Sequence, residues 1–444
     1  MRKKLILLGS ALLVLLMAAP TLWADVPSAL LHEGDILAGD TVTSLGNPSA
    51  NHAGGYGLGI NTSDGTNTFS RFWGNPAGGA GSILRTEGTI GDYQQLSFES
   101  FWGMSNAGAI AYSPSCTHVP SGTTGLDSVW LDDTIVAIEE QPYPHMANYW
   151  WSFGSRPGIT ADGKPYFVGG IATTQGGTTA NRGLFYGSTT TPLLLGGDAV
   201  PNLPAVLDTA STVSFDYRFS SLGTNYLAEV QFVGPSTANA AMVMNGAGLM
   251  LGGGLVAEGS PIPTTIGGLP GELWANFDFL SITESGSWIM TGDSNADVAV
   301  DEFVALNGNV ALREGDMLTT GEIVSGAIEG GYMNEAGDWG VIWDIDGGVL
   351  EALIVNGSLL LKEGDAVDWD GDGFVDPDAI LTDFTGTSTL AIGDPGIDSF
   401  FDVYFTADIN VGGTVLEGFF QMTVPEPSAA LLLGVGLMLL RRRR

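Results

Sequence analysis

The body of the chain consists of short segments in which apolar residues alternate with polar ones or run without interruption, and glycine-containing turns separate these segments. The segment Trp339-Gly-Val-Ile-Trp343 is apolar throughout, as expected for a strand that is covered on both faces. No long stretch of the body shows the apolar spacing of a helix, and glycine accounts for 65 of the 444 residues. The pattern therefore predicts an all-β fold.

A turn motif recurs along this body. Each copy has a polar residue, two further residues and a glycine, and it precedes an alternating strand. Because glycine and asparagine tolerate positive φ angles, the copies predict tight turns. Successive glycines lie 51 to 63 residues apart, which indicates tandem structural repeats. The copies end at Gly54, Gly108, Gly163, Gly223, Gly286 and Gly337, and Gly393 marks a degenerate seventh.

A second motif, an apolar strand that ends in Glu-Gly-Asp or a relative of it, follows each of the first six turns. One extra copy, Glu33-Gly-Asp35, precedes the first turn, and the seventh turn has no copy after it. The extra copy at the start compensates for the missing copy at the end, which predicts that the two ends of the body share one repeat. The other copies end at residues 88, 140, 198, 259, 316 and 365.

The two ends also match the two halves of the sixth repeat. Residues 28–35, SALLHEGD, resemble residues 358–365, SLLLKEGD, and residues 412–424 resemble the start of that repeat at residue 347. When both chain ends join one sheet, a ring closes and no strand edge stays exposed. We therefore predict a seven-bladed β-propeller over residues 25–424, closed by an N-terminal strand. Two tandem β-sandwiches are the alternative, although no Pro- or Ser-rich linker divides the chain.

An acidic segment at residues 368–376 is the sharpest local motif. Aspartates stand at positions 1, 3, 5 and 9 and a glycine at position 6, as in the first part of an EF-hand-type calcium loop. Ala379 replaces the usual glutamate at position 12, and Asp378 could substitute for it. A solvated acidic turn is the alternative to calcium binding. The predicted ligands are Asp368, Asp370, Asp372, Asp376 and the carbonyl oxygen of Phe374.

Other candidate sites have simpler structural interpretations. A ring of Glu-Gly-Asp carboxylates could bind metal, but turn residues at strand ends explain the motif equally well. The aromatic residues Tyr143, Tyr149, Trp150 and Trp151 could contact carbohydrate, or they could fill the space between blades. The four histidines form no zinc-type pair, Cys116 has no base partner in the sequence, and no nucleotide-binding or serine-nucleophile motif occurs. We therefore predict that the protein is not an enzyme.

Net charge narrows the choice of partner. Without the two termini, residues 25–424 contain 8 Lys and Arg against 48 Asp and Glu. Such a surface repels nucleic acid and anionic lipid headgroups, so we expect no nucleic-acid partner. A single cysteine cannot form an internal disulfide, so the apolar core has to hold the fold together.

The N-terminus has the layout of a secretory signal peptide. Arg2, Lys3 and Lys4 form a basic region, residues 5–19 are apolar, and Ala24 offers a small residue at a cleavage point before Asp25. We therefore predict that residues 1–24 direct export from the cytoplasm.

The C-terminus carries a second targeting segment over residues 425–444. Pro425, Glu426 and Pro427 precede an apolar run at 428–440. This run is shorter than the roughly 20 residues that cross a bilayer, but the charges behind it stay on the cytoplasmic side and hold it as a short transmembrane helix. Those charges are Arg441, Arg442, Arg443 and Arg444.

This layout resembles the PEP-CTERM sorting signal of exported bacterial proteins, and the turn repeats are similar to those of other proteins with that signal. The resemblance implies that an exosortase-type enzyme cuts near the Pro-Glu-Pro motif and releases or re-anchors the protein. We predict an exported, noncatalytic scaffold or binding protein of the cell surface or extracellular matrix, with extracellular polysaccharide as a candidate partner. The alternative is a secreted polysaccharide hydrolase or lyase with its site in the propeller channel.

Overall fold

The computed structural model describes residues 25–209, 216–236, 238–385, 390–396 and 400–425. They form antiparallel sheets arranged as the seven blades of a propeller, so the predicted fold is confirmed and the tandem-sandwich alternative is wrong. Among the described residues, no helix combines the length and apolar character needed to span a bilayer. The predicted signal peptide and residues 426–444 of the predicted sorting segment lie outside the described residues.

Each blade runs from an inner strand near the axis to an outer strand at the rim. Blade 1 contains β2 (Ile36–Leu37), β3 (Asp40–Ala50), β4 (Tyr56–Ser63), β5 (Thr68–Asn75) and β6 (Ser82–Thr86). Blade 2 contains β7 (Thr89–Ile90), β8 (Tyr93–Met104), β9 (Ile110–His118), β10 (Thr123–Leu131) and β11 (Thr134–Ile138). Blade 3 contains β12 (Trp150–Ile159), β13 (Pro165–Ala172), β14 (Asn181–Tyr186) and β15 (Thr191–Leu195).

The remaining blades follow the same order. Blade 4 contains β16 (Tyr217–Phe219), β17 (Tyr226–Gln231), β18 (Ala240–Met244) and β19 (Ala247–Gly248), and the hairpin of β20 (Met250–Leu251) and β21 (Gly254–Leu255) follows it. A 3-10 helix spans Thr264–Ile266. Blade 5 contains β22 (Leu280–Ile282), β23 (Trp288–Gly292), β24 (Phe303–Leu306) and β25 (Asn309–Arg313). Blade 6 contains β26 (Val324–Met333), β27 (Trp339–Ile345), β28 (Leu350–Val355) and β29 (Ser358–Lys362).

Blade 7 joins the two ends of the body. Its inner positions are β30 (Ala379–Asp383) and β31 (Leu390–Ile392), followed by β32 (Phe400–Val411) and β33 (Thr414–Pro425). The outer strand is β1 (Ser28–His32), which pairs antiparallel with β33 from Ser28 opposite Gln421 to His32 opposite Gly418. The predicted closure by the N-terminus is therefore confirmed, and β1 occupies the place that β29 holds in blade 6.

Apolar side chains are buried between neighbouring blades. Successive residues of one strand face opposite neighbouring blades. Val341 of β27 packs with Val304 of blade 5, whereas Ile342 packs with Val403 of blade 7. The same alternation places Phe167 of β13 against blade 2 and its neighbour Val168 against blade 4. Because both faces of the middle strands are covered, these strands can be apolar throughout, which explains the uninterrupted segments seen in the sequence.

Candidate functional site

The inner strands surround a cavity of about 350 Å³ on the propeller axis. This volume is within the range of small-molecule sites in proteins. Because the cavity is lined from every blade, residues far apart in the sequence meet there. One lining residue from each blade in turn is Asn47, Phe101, Arg156, Arg218, Phe279, Tyr332 and Leu390.

The repeated turns join the first and second strands of each blade, and they meet one another around the axis. The main-chain N–H of His52 donates to the side-chain oxygen of Asn106 at 3.0 Å. The N–H of Asn106 donates to the carbonyl of Ala161 at 3.1 Å, and the N–H of Ala161 donates to the carbonyl of Ser221 at 2.6 Å. Each of these residues is the second residue of its turn, so the motif links neighbouring blades as well as reversing the chain.

Glu335 completes this ring of turns. Its two carboxylate oxygens accept the N–H groups of Ser221 and Glu284, both at 2.6 Å. The N–H of Glu335 donates to Asp394, whose other oxygen lies 2.7 Å from Nδ1 of His52. The contacts therefore return to the first blade, and we call this end of the channel the turn end.

The seventh turn is shifted from its predicted position. The side-chain amide of Asn334 donates to the carbonyl of Gly393 at 3.0 Å, just as the amide of Asn51 donates to the carbonyl of Ser105. Gly393 therefore matches the first residue of the motif rather than its terminal glycine. The prediction erred because it extrapolated the glycine spacing, whereas the hydrogen-bonding position defines the turn.

Arginine and tyrosine side chains meet in the channel between blades 3, 4 and 6. Arg156 has a left-handed φ of 51° at a β-bulge, forms an ion pair with Asp216 and lies over the Phe101 ring at 5.0 Å. The guanidinium of Arg218 lies 5.9 Å from the ring centre of Tyr332. A strained backbone position that lines a cavity with charged and aromatic side chains makes the channel the leading candidate site.

Carboxylates accumulate at the opposite end of blades 4 and 5. Asp278, Asp293 and Glu302 have oxygens within 4.8 Å of one another. Burial, with Asp293 and Asp216 adding repulsion, raises the pKa of Asp278 to about 6. Burial and the neighbouring Asp293 raise the pKa of Glu302 to about 10, and burial raises that of Glu229 to about 8. Protonation of these carboxyl groups therefore relieves the repulsion among them.

We expect the stability of the folded protein to fall as the pH rises from about 5 to 8. The raised pKa values mean that the folded protein binds more protons than the unfolded chain across this interval, so the unfolding free energy decreases with pH. Thermal unfolding in the presence of a chelator measures this effect. Glu302→Gln should raise the melting temperature at pH 8 and flatten the dependence; a melting temperature that rises from pH 5 to 8 would contradict the assignment.

The acidic loop folds as the aspartate spacing predicts, in part. Oxygens of Asp368, Asp370 and Asp376 lie within 4.8 Å of one another. Asp368 is fully buried, and its two oxygens accept N–H groups from the turn, including that of Gly373 at 2.9 Å. Asp372 lies outside the group of three, and it accepts the N–H of Phe374 at 2.9 Å. The structure therefore brings together the aspartates at positions 1, 3 and 9.

This acidic loop also holds the strand that closes the ring. The N–H of Asp368 donates to the carbonyl of Pro27 at 3.0 Å, and the N–H of Ala29 donates to the carbonyl of Asp368 at 2.8 Å. The hydroxyl of Ser28 donates to the Asp368 carboxylate. Trp369 stacks on His32 with ring centres 4.5 Å apart. The predicted calcium loop and the N-terminal strand therefore form one unit.

Glu-Gly-Asp turns have a structural role. In the turn that ends at Asp365, the carboxylate accepts the N–H of Lys362 at 2.9 Å, and the same contact links Asp35 to His32 and Asp316 to Arg313. The intervening glycine adopts a left-handed φ, for example 91° at Gly364. These contacts give the aspartate and the glycine of the motif a structural role.

The aromatic cluster and the cysteine are also structural. Tyr143 and Trp151 are buried against Phe167 and Phe185 between blades 2 and 3, whereas Tyr149 and Trp150 are partly exposed. Cys116 is buried, and this burial raises the pKa of its thiol, which disfavours a nucleophilic role. Tyr143 and Trp151 therefore fill the space between blades, as the simpler interpretation predicts for aromatic residues in a propeller.

Comparisons with known proteins give no family assignment. No family model matches the chain, and no curated protein matches its sequence. Among solved structures, prolyl oligopeptidase B from Galerina marginata has a TM-score of 0.41 and 12% identity to this chain. The match covers 84% of this chain and 49% of the oligopeptidase. An α-L-arabinanase from Penicillium chrysogenum has a TM-score of 0.33 and 10% identity, and the match covers 90% of this chain and 98% of the arabinanase. The chain thus spans about half the length of the oligopeptidase, and these likenesses carry no argument about activity.

Channel residues are the part of the site that sequence motifs missed. Arg218 and Tyr332 each stand two residues before the first residue of a repeated turn, Ser220 and Asn334 respectively. An alignment of the inner strands on these turns places both side chains at the same level of the channel. That alignment is the signal that could have found them.

Proposed function

We propose that the protein is an exported, noncatalytic binding or scaffold protein of the cell surface or extracellular matrix, and that a calcium ion locks its ring. The observation that carries this proposal is the bonding of the acidic loop to β1 at the ring closure. Calcium takes about six to eight oxygen ligands, and the grouped aspartates supply several of them. Because a strand held at the rim resists opening, such an ion would stabilise the whole ring.

Sorting through the C-terminus belongs to the same proposal. Pro425 is the last residue of β33 and lies opposite Phe400 of β32. The proposed sorting segment thus begins at the end of the last blade strand. Cleavage by an exosortase-type enzyme beyond this residue would leave the paired strands of blade 7 unchanged, so either release or re-anchoring would deliver a complete propeller outside the cytoplasm.

Calcium titration of the full-length chain tests the proposal. We expect binding with a Kd between about 10⁻⁶ and 10⁻³ M, as in calcium loops of sensors and extracellular proteins. At a calcium concentration 100 times the Kd, the expected stabilisation is about 2.7 kcal/mol, which appears as a higher melting temperature than in chelator. Calorimetry and thermal melts with and without a chelator measure the two effects.

Two aspartate variants separate a calcium site from an acidic turn. Asp370→Asn should abolish both the calorimetric signal and the calcium-dependent shift of the melt. Asp64→Asn is the matched control, because Asp64, like Asp370, accepts hydrogen bonding from main-chain N–H in an exposed turn but belongs to none of the acidic groups. An identical melt with calcium and with chelator, or a calcium response that survives Asp370→Asn, would overturn the proposed calcium lock.

A further inference from the structure

Arg218 is an unusual residue in this acidic protein. Residues 25–424 contain eight lysines and arginines, and six of them form ion pairs with carboxylates among the described residues. Arg218 forms none of those pairs, although acids outnumber cations sixfold. It lines the central cavity instead. Because none of the described carboxylates pairs with it, this guanidinium is suited to an anion that arrives with a ligand.

Tyrosines position the Arg218 guanidinium. It lies over the Tyr332 ring, and it is also near Tyr166: burial raises the pKa of Tyr166, and the charge of Arg218 opposes that rise. Tyr166 comes from the second strand of blade 3 and reaches the channel because Gly158 has no side chain: a Cβ atom there would lie 2.3 Å from the Tyr166 ring. The arginine is therefore held by aromatic groups that do not neutralise its charge.

Acidic neighbours restrict the charge of the ligand. Asp216, which already pairs with Arg156, lines the cavity together with Asp278 and Glu335. A phosphate monoester, with a charge of about −1.5 to −2 near neutral pH, would be repelled by these groups more strongly than a carboxylate with a single charge. The planar guanidinium also matches a carboxylate in two parallel hydrogen bonds. An anion with a single negative charge therefore fits this site, and a carboxylate meets that condition.

Flat apolar rings and small polar groups surround the rest of the cavity. Phe101, Phe279 and Tyr332 present aromatic surface, and Asn47 and Ser281 offer hydrogen-bonding groups. A pyranose ring combines the same two kinds of surface, because its C–H faces are apolar and its hydroxyl groups at the edge are polar. A cavity of about 350 Å³ accommodates a small ligand rather than a polymer.

We propose that the channel binds a sugar acid, a pyranose that carries one carboxylate, with the carboxylate on Arg218 and a ring face against Tyr332. This inference names a ligand that the proposed function leaves open. It depends neither on calcium nor on sorting, because none of its residues belongs to the acidic loop or to the C-terminal segment.

Calorimetry of the full-length chain with glucuronate, glucose and acetate tests the inference. Glucuronate should bind at least tenfold more tightly than glucose, which lacks the carboxylate, and than acetate, which lacks the ring. Equal affinity for glucuronate and glucose, equal affinity for glucuronate and acetate, or no binding of glucuronate would each overturn it. Titrations in calcium and in chelator should agree, so a failed calcium site leaves this result unchanged.

Variants assign the binding to Arg218. Arg218→Gln should weaken glucuronate at least tenfold and leave glucose unchanged, whereas Lys164→Gln, which removes an exposed cation outside the cavity, should change neither. Arg218→Lys keeps the charge but loses the planar fork, so an intermediate loss is expected, and this variant serves if the glutamine variant does not fold. Unchanged glucuronate affinity in a folded Arg218 variant would refute the assignment.

Discussion

Leu31→Asp should unfold the propeller at temperatures at which the unchanged protein stays folded. Leu31 is 3% exposed, and it packs with Val42, Tyr56 and Phe419 at the junction of blades 7 and 1. Truncating such a side chain to alanine costs about 2–5 kcal/mol, and an unpaired buried carboxylate costs more. Because β1 is the strand that closes the ring, this loss of stability affects the place where the two ends of the body meet.

Ile36→Asp is the matched control for this prediction. Ile36 lies five positions further along the same N-terminal segment but is 64% exposed, so the same substitution there should change stability by less than about 0.5 kcal/mol. Thermal unfolding and limited proteolysis of both variants measure the difference. Equal melting temperatures for the two variants would show that the N-terminal strand does not hold the ring closed.

The ring closure could be predicted because it rests on local repetition. Residues 28–35 resemble residues 358–365 because both segments are outer strands that end in the same turn. His32 and Lys362 even share a contact, since each donates its N–H to the aspartate three residues later. Strands in equivalent positions of two blades have similar surroundings and therefore similar residues. The sequence similarity of the two segments thus indicated that they occupy equivalent positions in the fold.

The acidic loop was predictable to the same extent, for the same reason. Its ligand candidates lie within nine consecutive residues, so the spacing indicates that carboxylates meet around the turn, and the one candidate that it placed wrongly is Asp372, which lies outside the group of three. Calcium binding itself stays a prediction, as does the carbonyl of Phe374 as a ligand. The contacts of Asp368 with Pro27 and Ser28 were not predictable, because they join segments 340 residues apart.

The channel site could not be predicted from motifs. Arg156, Arg218 and Tyr332 come from the inner strands of three blades, and only closure of the ring brings them to one axis. No spacing rule connects them in the sequence. The position of the seventh turn was missed for a related reason, since Gly393 takes its role from a hydrogen bond with Asn334 of the neighbouring blade.

Arg313→Met should lower the unfolding free energy by about 3–5 kcal/mol, the usual effect of removing one partner of a buried ion pair. Arg313 is 8% exposed and Glu272 is 3% exposed. Their side chains meet in two contacts, Nη1–Oε1 at 2.6 Å and Nη2–Oε2 at 3.1 Å, and Nη1 also donates to the carbonyl of Val300. Together these bonds fasten the segment between blades 4 and 5 to the last strand of blade 5.

The variant leaves the Glu272 carboxylate buried without its cation. Burial acts to raise the pKa of Glu272, but hydrogen bonds from Arg313 and Ser294 outweigh burial and hold that pKa below its usual value. Without Arg313 the pKa should rise, so the loss of stability should shrink as the pH falls and the carboxylate takes up a proton. Denaturant unfolding at pH 7 and pH 5 measures this change.

Two further variants decide whether burial is the cause. Lys164→Met removes a cation from the solvent-exposed pair with Asp162, and it should lower the unfolding free energy far less than Arg313→Met does. The double variant Arg313→Met, Glu272→Met replaces both buried charges, so it should recover most of the stability that Arg313→Met loses. If Arg313→Met costs no more than Lys164→Met, the pair does not fasten this segment; if the double variant is as unstable as Arg313→Met, the stranded charge is not the cause. The outcome thereby distinguishes a charge that has lost its partner from a simple loss of packing.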